Sequence, residues 1–175
     1  GEVRALLEST RAANLDGLGR IEGALDARRA AWEADPTDGD AAAAWAFAAA
    51  RSATDQEAAL AAVTAALARR LPYDPRGDLL VADFDAWNAE VRQQRARWLE
   101  ARGWLLYRMG RPVEARADLM DAAAMGADDG GLWQRLGLVL AATGDTEAAL
   151  RCLGRGRATE SDDPDLTRRA RAVRR

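Results

Sequence analysis

The chain has 175 residues and a formal net charge of −3, and all 25 of its basic residues are arginine. It contains no lysine, no histidine and one cysteine, Cys152. These absences exclude histidine-dependent nucleophile activation, histidine-ligated metal centres, Schiff-base chemistry and an internal disulfide. A reactive thiol and an inert, half-buried thiol both remain open for Cys152.

Alanine supplies 42 of the residues. Because alanine is the strongest helix former, we predict an all-α fold with a thin core of alanine and leucine. The arginine-only, alanine-rich composition is also typical of GC-rich bacterial genomes, so we expect a bacterial protein. No apolar run approaches the roughly 20 residues that a membrane-spanning helix needs.

The first 36 residues predict two helices joined by a turn. A first helix is expected to begin near Val3 and to continue through Ala13, while the polar and glycine residues that follow leave its end open. The segment Leu18–Leu25 resembles a turn followed by the start of a second helix, which is expected to end at Asp35-Pro36.

A second pair of helices is predicted at 41–52 and 55–70, mainly from the spacing of alanine residues. Thr54 and Glu57 have the three-residue spacing of a capping box, in which the threonine caps the helix and the glutamate bonds back to it. We therefore expect Thr54 to be the residue that caps the second helix of this pair.

Residues 71–78 are rich in turn formers and are predicted to form a loop. No proline or glycine interrupts residues 79–102, and large apolar residues recur there at helical intervals, at Leu80, Phe84, Trp87, Val91 and Trp98. We favour one long helix that ends near Met109. A separate additional helix is the alternative.

The strongest pattern is a spacing of 34 residues in the second half of the chain. It relates the following pairs: Gly103 and Gly137, Leu106 and Leu140, Gly110 and Gly144, Ala115 and Ala149, Leu119 and Leu153. We expect Gly103 and Gly137 to lie where two antiparallel helices approach closely. Gly110 and Gly144 fit helix ends with positive φ, and Pro112 fits the first turn of a following helix.

This pattern resembles the tetratricopeptide repeat (TPR), a 34-residue helix–turn–helix unit. Trp133, Leu136, Gly137 and Leu140 match the W-x2-L-G-x2-Y pattern, with Leu140 replacing the tyrosine. The resemblance implies a right-handed superhelical stack of antiparallel helix pairs, a TPR-like solenoid. We expect two divergent repeats at 1–73, an insertion or extended helix at 74–95, two repeats at 96–163 and a capping helix at 164–175.

The resemblance also implies that first helices line a concave groove that binds peptides or protein segments. Carried over to this sequence, the exposed lining positions include Ala48, Glu100 and Leu138, and the predicted partner-binding residues are Trp45, Arg51, Arg97, Trp104, Tyr107, Arg108, Gln134 and Arg135. Such a groove would suit a segment with acidic and apolar side chains. Packing between repeats is the alternative role for Trp45 and Trp104.

We therefore expect a non-catalytic interaction scaffold or adaptor that binds another protein. The alternative is an accessory or regulatory domain of a larger enzyme or of a secretion or envelope assembly, because Gly1 is not an initiator methionine. Self-association through the ends of the stack is a further expectation. We expect no cofactor, no metal and no nucleic-acid partner. Both the bacterial cytoplasm and the periplasm stay open as compartments.

Overall fold

A computed structural model describes residues 1–69, 84–126, 129–157 and 164–173 of the chain. These residues form nine α-helices and no strand. The helices are α1 Glu2–Gly17, α2 Ile21–Ala34, α3 Gly39–Ser52, α4 Gln56–Ala68, α5 Phe84–Arg108, α6 Pro112–Ala124, α7 Gly130–Ala142, α8 Thr146–Arg157 and α9 Pro164–Val173. The prediction of an all-α fold is confirmed.

Consecutive helices pack in pairs, so that α1–α2, α3–α4, α5–α6 and α7–α8 are four helical hairpins. The second helix of each hairpin packs against the first helix of the next, and α3 also packs against α5. The hairpins form one continuous stack, because the apolar faces of each hairpin are covered only by the neighbouring hairpins. The predicted helical-repeat architecture is therefore confirmed.

The two helices of a hairpin approach closely at Gly103 and Gly137, as predicted. A Cβ atom added to Gly137 would lie 2.6 Å from Cγ of Leu153 and 3.1 Å from the carbonyl oxygen of Ala149. At Gly103 the equivalent neighbours are Leu119, at 2.9 Å, and the carbonyl oxygen of Ala115. The same contact thus recurs 34 residues along the chain.

The turns between paired helices use the left-handed backbone region. Gly110 and Gly144 have φ values of 79° and 87°, which confirms their predicted role, and Pro112 is the first residue of α6. In the second hairpin the residue that ends α3 is Ala53, with a φ of 60°. A side chain at this position is strained because Cβ crowds the following carbonyl oxygen.

The predicted capping box at Thr54 and Glu57 is wrong. Helix α4 begins at Gln56, its N-cap residue is Asp55, and that residue makes no side-chain cap hydrogen bond. Both Ala53 and Asp55 have positive φ, so Thr54 lies within the turn, where its backbone N–H donates to Oγ of Ser52 at 3.2 Å. The carboxylate of Asp55 instead accepts from Arg29 of α2 at 2.8 Å.

The long helix predicted before Met109 is α5, which the structure describes from Phe84 to Arg108. The loop predicted at 71–78 and the first residues of the predicted helix lie outside the described residues. Trp98 of α5 is buried, and its Nε1 donates to Asp40 in the first turn of α3 at 2.7 Å. Gln94 donates to the same carboxylate at 3.1 Å. These contacts join α5 to the start of α3.

Helix α9 packs against α7, and Val173 contacts the hydrophobic core. Helix α1 continues through Asn14 to Gly17, beyond Ala13, to which the sequence predicted it. The boundaries of the repeats, the insertion and the capping helix stay predictions.

We expect Gly137→Ala to lower the free energy of unfolding by about 1–3 kcal/mol, because the new methyl group would overlap Leu153. The matched control is Gly154→Ala in α8, where a Cβ atom would meet no other atom within 4 Å. That control should raise the free energy of unfolding by about 0.5–1 kcal/mol through helix propensity. Urea unfolding of both variants tests this, and shifts of equal sign would contradict it.

We expect Ala53→Gly to raise the free energy of unfolding by about 1 kcal/mol, because glycine adopts positive φ without strain. The control is Ala61→Gly on the exposed side of α4, which should lower it by about the same amount. Thermal and urea unfolding measure both effects. A loss of stability in both variants would show that Ala53 is not strained.

Candidate functional site

The first helices α3, α5 and α7 form a continuous surface, called here the first-helix face. Its centre is a cluster of aromatic and charged side chains, called here the Arg135 cluster, which consists of Phe47 from α3, Glu100, Trp104, Tyr107 and Arg108 from α5, and Arg135 from α7. Three hairpins therefore contribute to one group of contacts.

Arg135 holds the cluster together. Its guanidinium carbon lies 5.0 Å from the ring centroid of Phe47 and 5.8 Å from that of Trp104, and its Nη1 forms an ion pair with Glu100. Gly131 makes room for this arginine, because a Cβ atom there would lie 2.8 Å from Nη1. The side chain of Arg135 is only 13% exposed. It therefore connects α7 to both α5 and α3.

Trp104 forms the floor of the cluster. It is 2% exposed, and its ring stacks on Tyr107 with centroids 5.3 Å apart and an interplanar angle of 22°. The guanidinium carbon of Arg108 lies 5.7 Å from the Trp104 centroid. Tyr107 and Arg108 are only half-buried, so they are the members of this stack that a partner can contact.

Acidic residues of the same chain accompany three of the predicted binding arginines. Arg51 lies 3.6 Å from Asp16 of α1, and Arg97 lies 3.9 Å from Asp40 of α3. Arg135 is paired with Glu100. Because each of these arginines has an acidic neighbour, the first-helix face carries less net positive charge than its arginines alone would give it.

Burial raises the pKa of the Glu100 carboxyl group above its ordinary value. The charge and hydrogen bond of Arg135 oppose this increase, and the nearby carboxylate of Asp129 adds to it. Burial disfavours the ionised carboxylate more strongly than the ion pair favours it. The ionised carboxylate of Glu100 is therefore an unfavourable member of the Arg135 cluster.

The expected exposure of several lining residues is wrong. Trp45, Trp104, Gln134, Glu100, Ala48 and Leu138 are all buried. The ring of Trp45 packs against that of Trp32 of α2, with centroids 5.1 Å apart and planes tilted by 33°, and Gln134 donates from Nε2 to the carbonyl oxygen of Gly156 at 3.0 Å. Neighbouring helices thus cover these side chains. Partner binding by the eight predicted residues stays a prediction.

Phe47, rather than Trp45, is the aromatic residue that α3 contributes to the first-helix face, and the sequence interpretation missed it. The correct alignment of α3 with α5 follows from their last residues. Ala53 after α3 and Gly110 after α5 both have positive φ, and they are 57 residues apart. The same interval relates Phe47 to Trp104 and Arg51 to Arg108.

Other candidate sites gain little support. Burial raises the pKa of the Cys152 thiol despite Arg151 and Arg155 nearby, which disfavours a reactive thiolate. Among the described residues, no group of three or more potential metal ligands occurs. Within the same part of the chain, no helix is long and apolar enough to cross a membrane.

The raised pKa of Glu100 predicts a pH dependence. The folded chain holds this proton more tightly than the unfolded chain, so ionisation of Glu100 destabilises the fold. The free energy of unfolding of the wild type, minus that of Glu100→Gln, should therefore fall as the pH rises above about 4.5. Urea unfolding of both proteins from about pH 4 to 8 measures this difference.

Glu114→Gln provides the control for this measurement. A hydrogen bond from Arg111 lowers the pKa of Glu114, so its stabilising contribution is lost as the pH falls. The difference between the wild type and Glu114→Gln should rise with pH, opposite to that for Glu100. If both differences rise, the attraction of Arg135 outweighs the burial of Glu100.

The fold is similar to solved structures. A crystal structure of MamA protein matches with a TM-score of 0.56 at 12% identity, over 97% of this chain and 80% of that chain. A thermophilic TPR protein from Thermus thermophilus, TTC0263, matches at 19% identity over 97% and 98% of the two chains, with a TM-score of 0.49. A tetratricopeptide repeat protein from Parabacteroides merdae matches at 14% identity over 98% and 71%, with a TM-score of 0.45.

No protein-family model and no curated protein matches the sequence. The fold rests on the structure itself, in which paired helices meet at glycines 34 residues apart and successive hairpins stack first helix upon second. The similarity to the MamA structure agrees with this architecture. The chain therefore has a TPR-like helical repeat fold.

Proposed function

We propose that this chain is a non-catalytic protein-interaction scaffold whose first-helix face binds a segment of a partner protein. The observation that carries the proposal is the half-buried pair Tyr107 and Arg108, which lies on the fixed ring of Trp104. Tyrosine and arginine held on a rigid base are typical of interface hot spots, because little side-chain freedom is lost on binding.

The charges of this face favour a mainly apolar segment with few acidic residues. Arg51, Arg97 and Arg135 are each accompanied by an acid of the same chain, so a partner carboxylate would compete with that neighbour. Of the acidic and apolar side chains predicted for the bound segment, we therefore expect the apolar ones to make most of the contacts. Binding should then weaken only modestly at high salt.

The absence of lysine and histidine from the sequence supports a non-catalytic role. In the described residues, the buried acids Glu100 and Asp118 are both paired with arginine, at Arg135 and Arg102. Both pairs connect one helix to another. We assign them to joining helices to one another rather than to proton transfer.

A site-specific crosslink tests the proposal. A photoreactive benzoylphenylalanine at Tyr107 should crosslink the partner in an extract of the source organism, because this ring is accessible on the first-helix face. The same group at Met120, which is exposed on the second helix α6, is the control. Equal crosslinking from both positions would contradict binding at the first-helix face.

Once a partner is captured, the double variant Tyr107→Ala with Arg108→Ala should weaken its binding by about tenfold or more. The matched double variant Val113→Ala with Arg151→Ala removes an exposed apolar residue and an exposed arginine from second helices. That variant should bind as the wild type does. Isothermal titration of the partner segment into each protein measures the difference.

A further inference from the structure

Arg135 links the fourth hairpin to the third and second on the first-helix face. Among the described helices, α7 packs chiefly against α6 and α8, and it approaches α5 along only a short stretch. The long side chain of Arg135 spans this gap, because it reaches Glu100 of α5 and the ring of Phe47 in α3. The direction of this side chain therefore decides whether α7 is tied to the other two first helices.

The guanidinium group of Arg135 is only partly satisfied in this position. Its Nη1 pairs with Glu100, but its buried Nε has no hydrogen-bond partner among the described residues. A buried N–H group without an acceptor is unfavourable, because it has lost its hydrogen bonds to water. A second position that gives Nε an acceptor would remove this cost.

Asp129, the N-cap residue of α7, offers such an acceptor. A Cβ atom on Gly131 would lie 2.8 Å from Nη1 of Arg135 and 3.1 Å from Oδ2 of Asp129, so the guanidinium group and this carboxylate lie beside the same backbone position. Asp129 is exposed, and its Oδ1 accepts from the backbone N–H of Gly131 at 3.0 Å. An arginine that turns toward a carboxylate can donate to it from Nε and one Nη at once.

The proton on Glu100 sets the balance between the two carboxylates. Glu100 is 5% exposed, and burial raises its pKa although the charge of Arg135 opposes this increase. The carboxylate of Asp129 adds to the increase. Departure of Arg135 would raise the pKa further, because the opposing charge would be gone. Protonation of Glu100 and departure of Arg135 therefore favour each other.

Charged groups on the other helices that pack against α5 are engaged elsewhere or exposed. Asp40 of α3 accepts hydrogen bonds from two side chains of α5, and Arg51 of α3 lies 3.6 Å from an acid of α1. The buried Asp118 of α6 pairs with Arg102, and Glu57 of α4 is exposed. The two charged groups of α7 are therefore the ones that act on the buried carboxyl group.

We propose that Arg135 is a two-position switch that the proton on Glu100 controls. With Glu100 ionised, Arg135 pairs with it and lies on the rings of Phe47 and Trp104, as in the structure. With Glu100 protonated, Arg135 turns to Asp129, which releases the tie from α7 and uncovers the two rings. A falling pH favours the second position. Any effect on partner binding rests on the proposed function, whereas the switch itself needs no partner.

Nuclear magnetic resonance of the isotope-labelled chain tests the switch. Protons of Arg135 that lie over the rings of Phe47 and Trp104 carry an upfield ring-current shift, and their absence from the spectrum of Arg135→Lys identifies them. This upfield shift should be lost as the pH falls from about 9 to 4. The loss should have the same midpoint as the titration of the Glu100 carboxyl carbon.

Two conservative variants distinguish the two positions. Glu100→Gln is neutral at every pH, so the upfield shift should be lost throughout the range. Asp129→Asn still caps α7 but has no charge to attract Arg135, so the shift should persist at low pH. Glu114→Gln, whose partner Arg111 lies elsewhere, is the control and should titrate as the wild type does. Circular dichroism checks that each variant is folded.

A ring-current shift that is constant across this pH range overturns the proposal, as does one that Glu100→Gln retains. Equal loss of the shift at low pH in Asp129→Asn and the wild type would show that Arg135 moves into solvent, and would also overturn it. None of these measurements involves a partner. The crosslink at Tyr107 therefore remains an independent test of the proposed function.

Discussion

Leu119 and Leu153 fill the space that Cβ atoms on Gly103 and Gly137 would occupy, and this contact sets the distance between the two helices of a hairpin. At this distance the hairpin has only thin layers of alanine and leucine between its helices, so each hairpin is too small to bury its apolar residues alone. Stacking on the next hairpin completes the burial. In the third and fourth hairpins the spacing of the paired helices follows from a close approach that only glycine permits.

The same close packing explains how Arg135 of α7 reaches Phe47 of α3, although α5 lies between these helices in the stack. The long side chain of arginine spans this distance, and the Arg135 cluster therefore ties the three first helices together. The residues at the rim of this cluster that we propose for partner recognition are the half-buried Tyr107 and Arg108.

The hairpins could be predicted from the sequence where a residue type, such as glycine, indicates one particular structural role. The glycines at 103, 110, 137 and 144 gave the period, the close contacts and the left-handed turns. In the second hairpin sequence reasoning identified the two helices but not the side of α3 that faces its neighbours, because a helix made largely of alanine does not indicate that side. Alignment on alanine spacing therefore selected Trp45, although Phe47 faces the Arg135 cluster. The turn at Ala53 fixes how α3 aligns with the other first helices, but an alanine in a sequence does not indicate positive φ.

The exclusive use of arginine has a structural consequence at the buried ion pairs. Arg102 donates to Asp118 through two parallel hydrogen bonds of 2.7 and 2.6 Å, and Arg135 contacts a carboxylate and two aromatic rings at once. The planar guanidinium group can pair at its edge while its faces lie on rings, whereas the ammonium group of lysine is a compact, strongly hydrated charge. Lysine at position 135 lacks a planar group that can pair with Glu100 while its faces lie against the rings of Phe47 and Trp104. A composition without lysine and histidine therefore supplies, in arginine, the side chain that joins three hairpins.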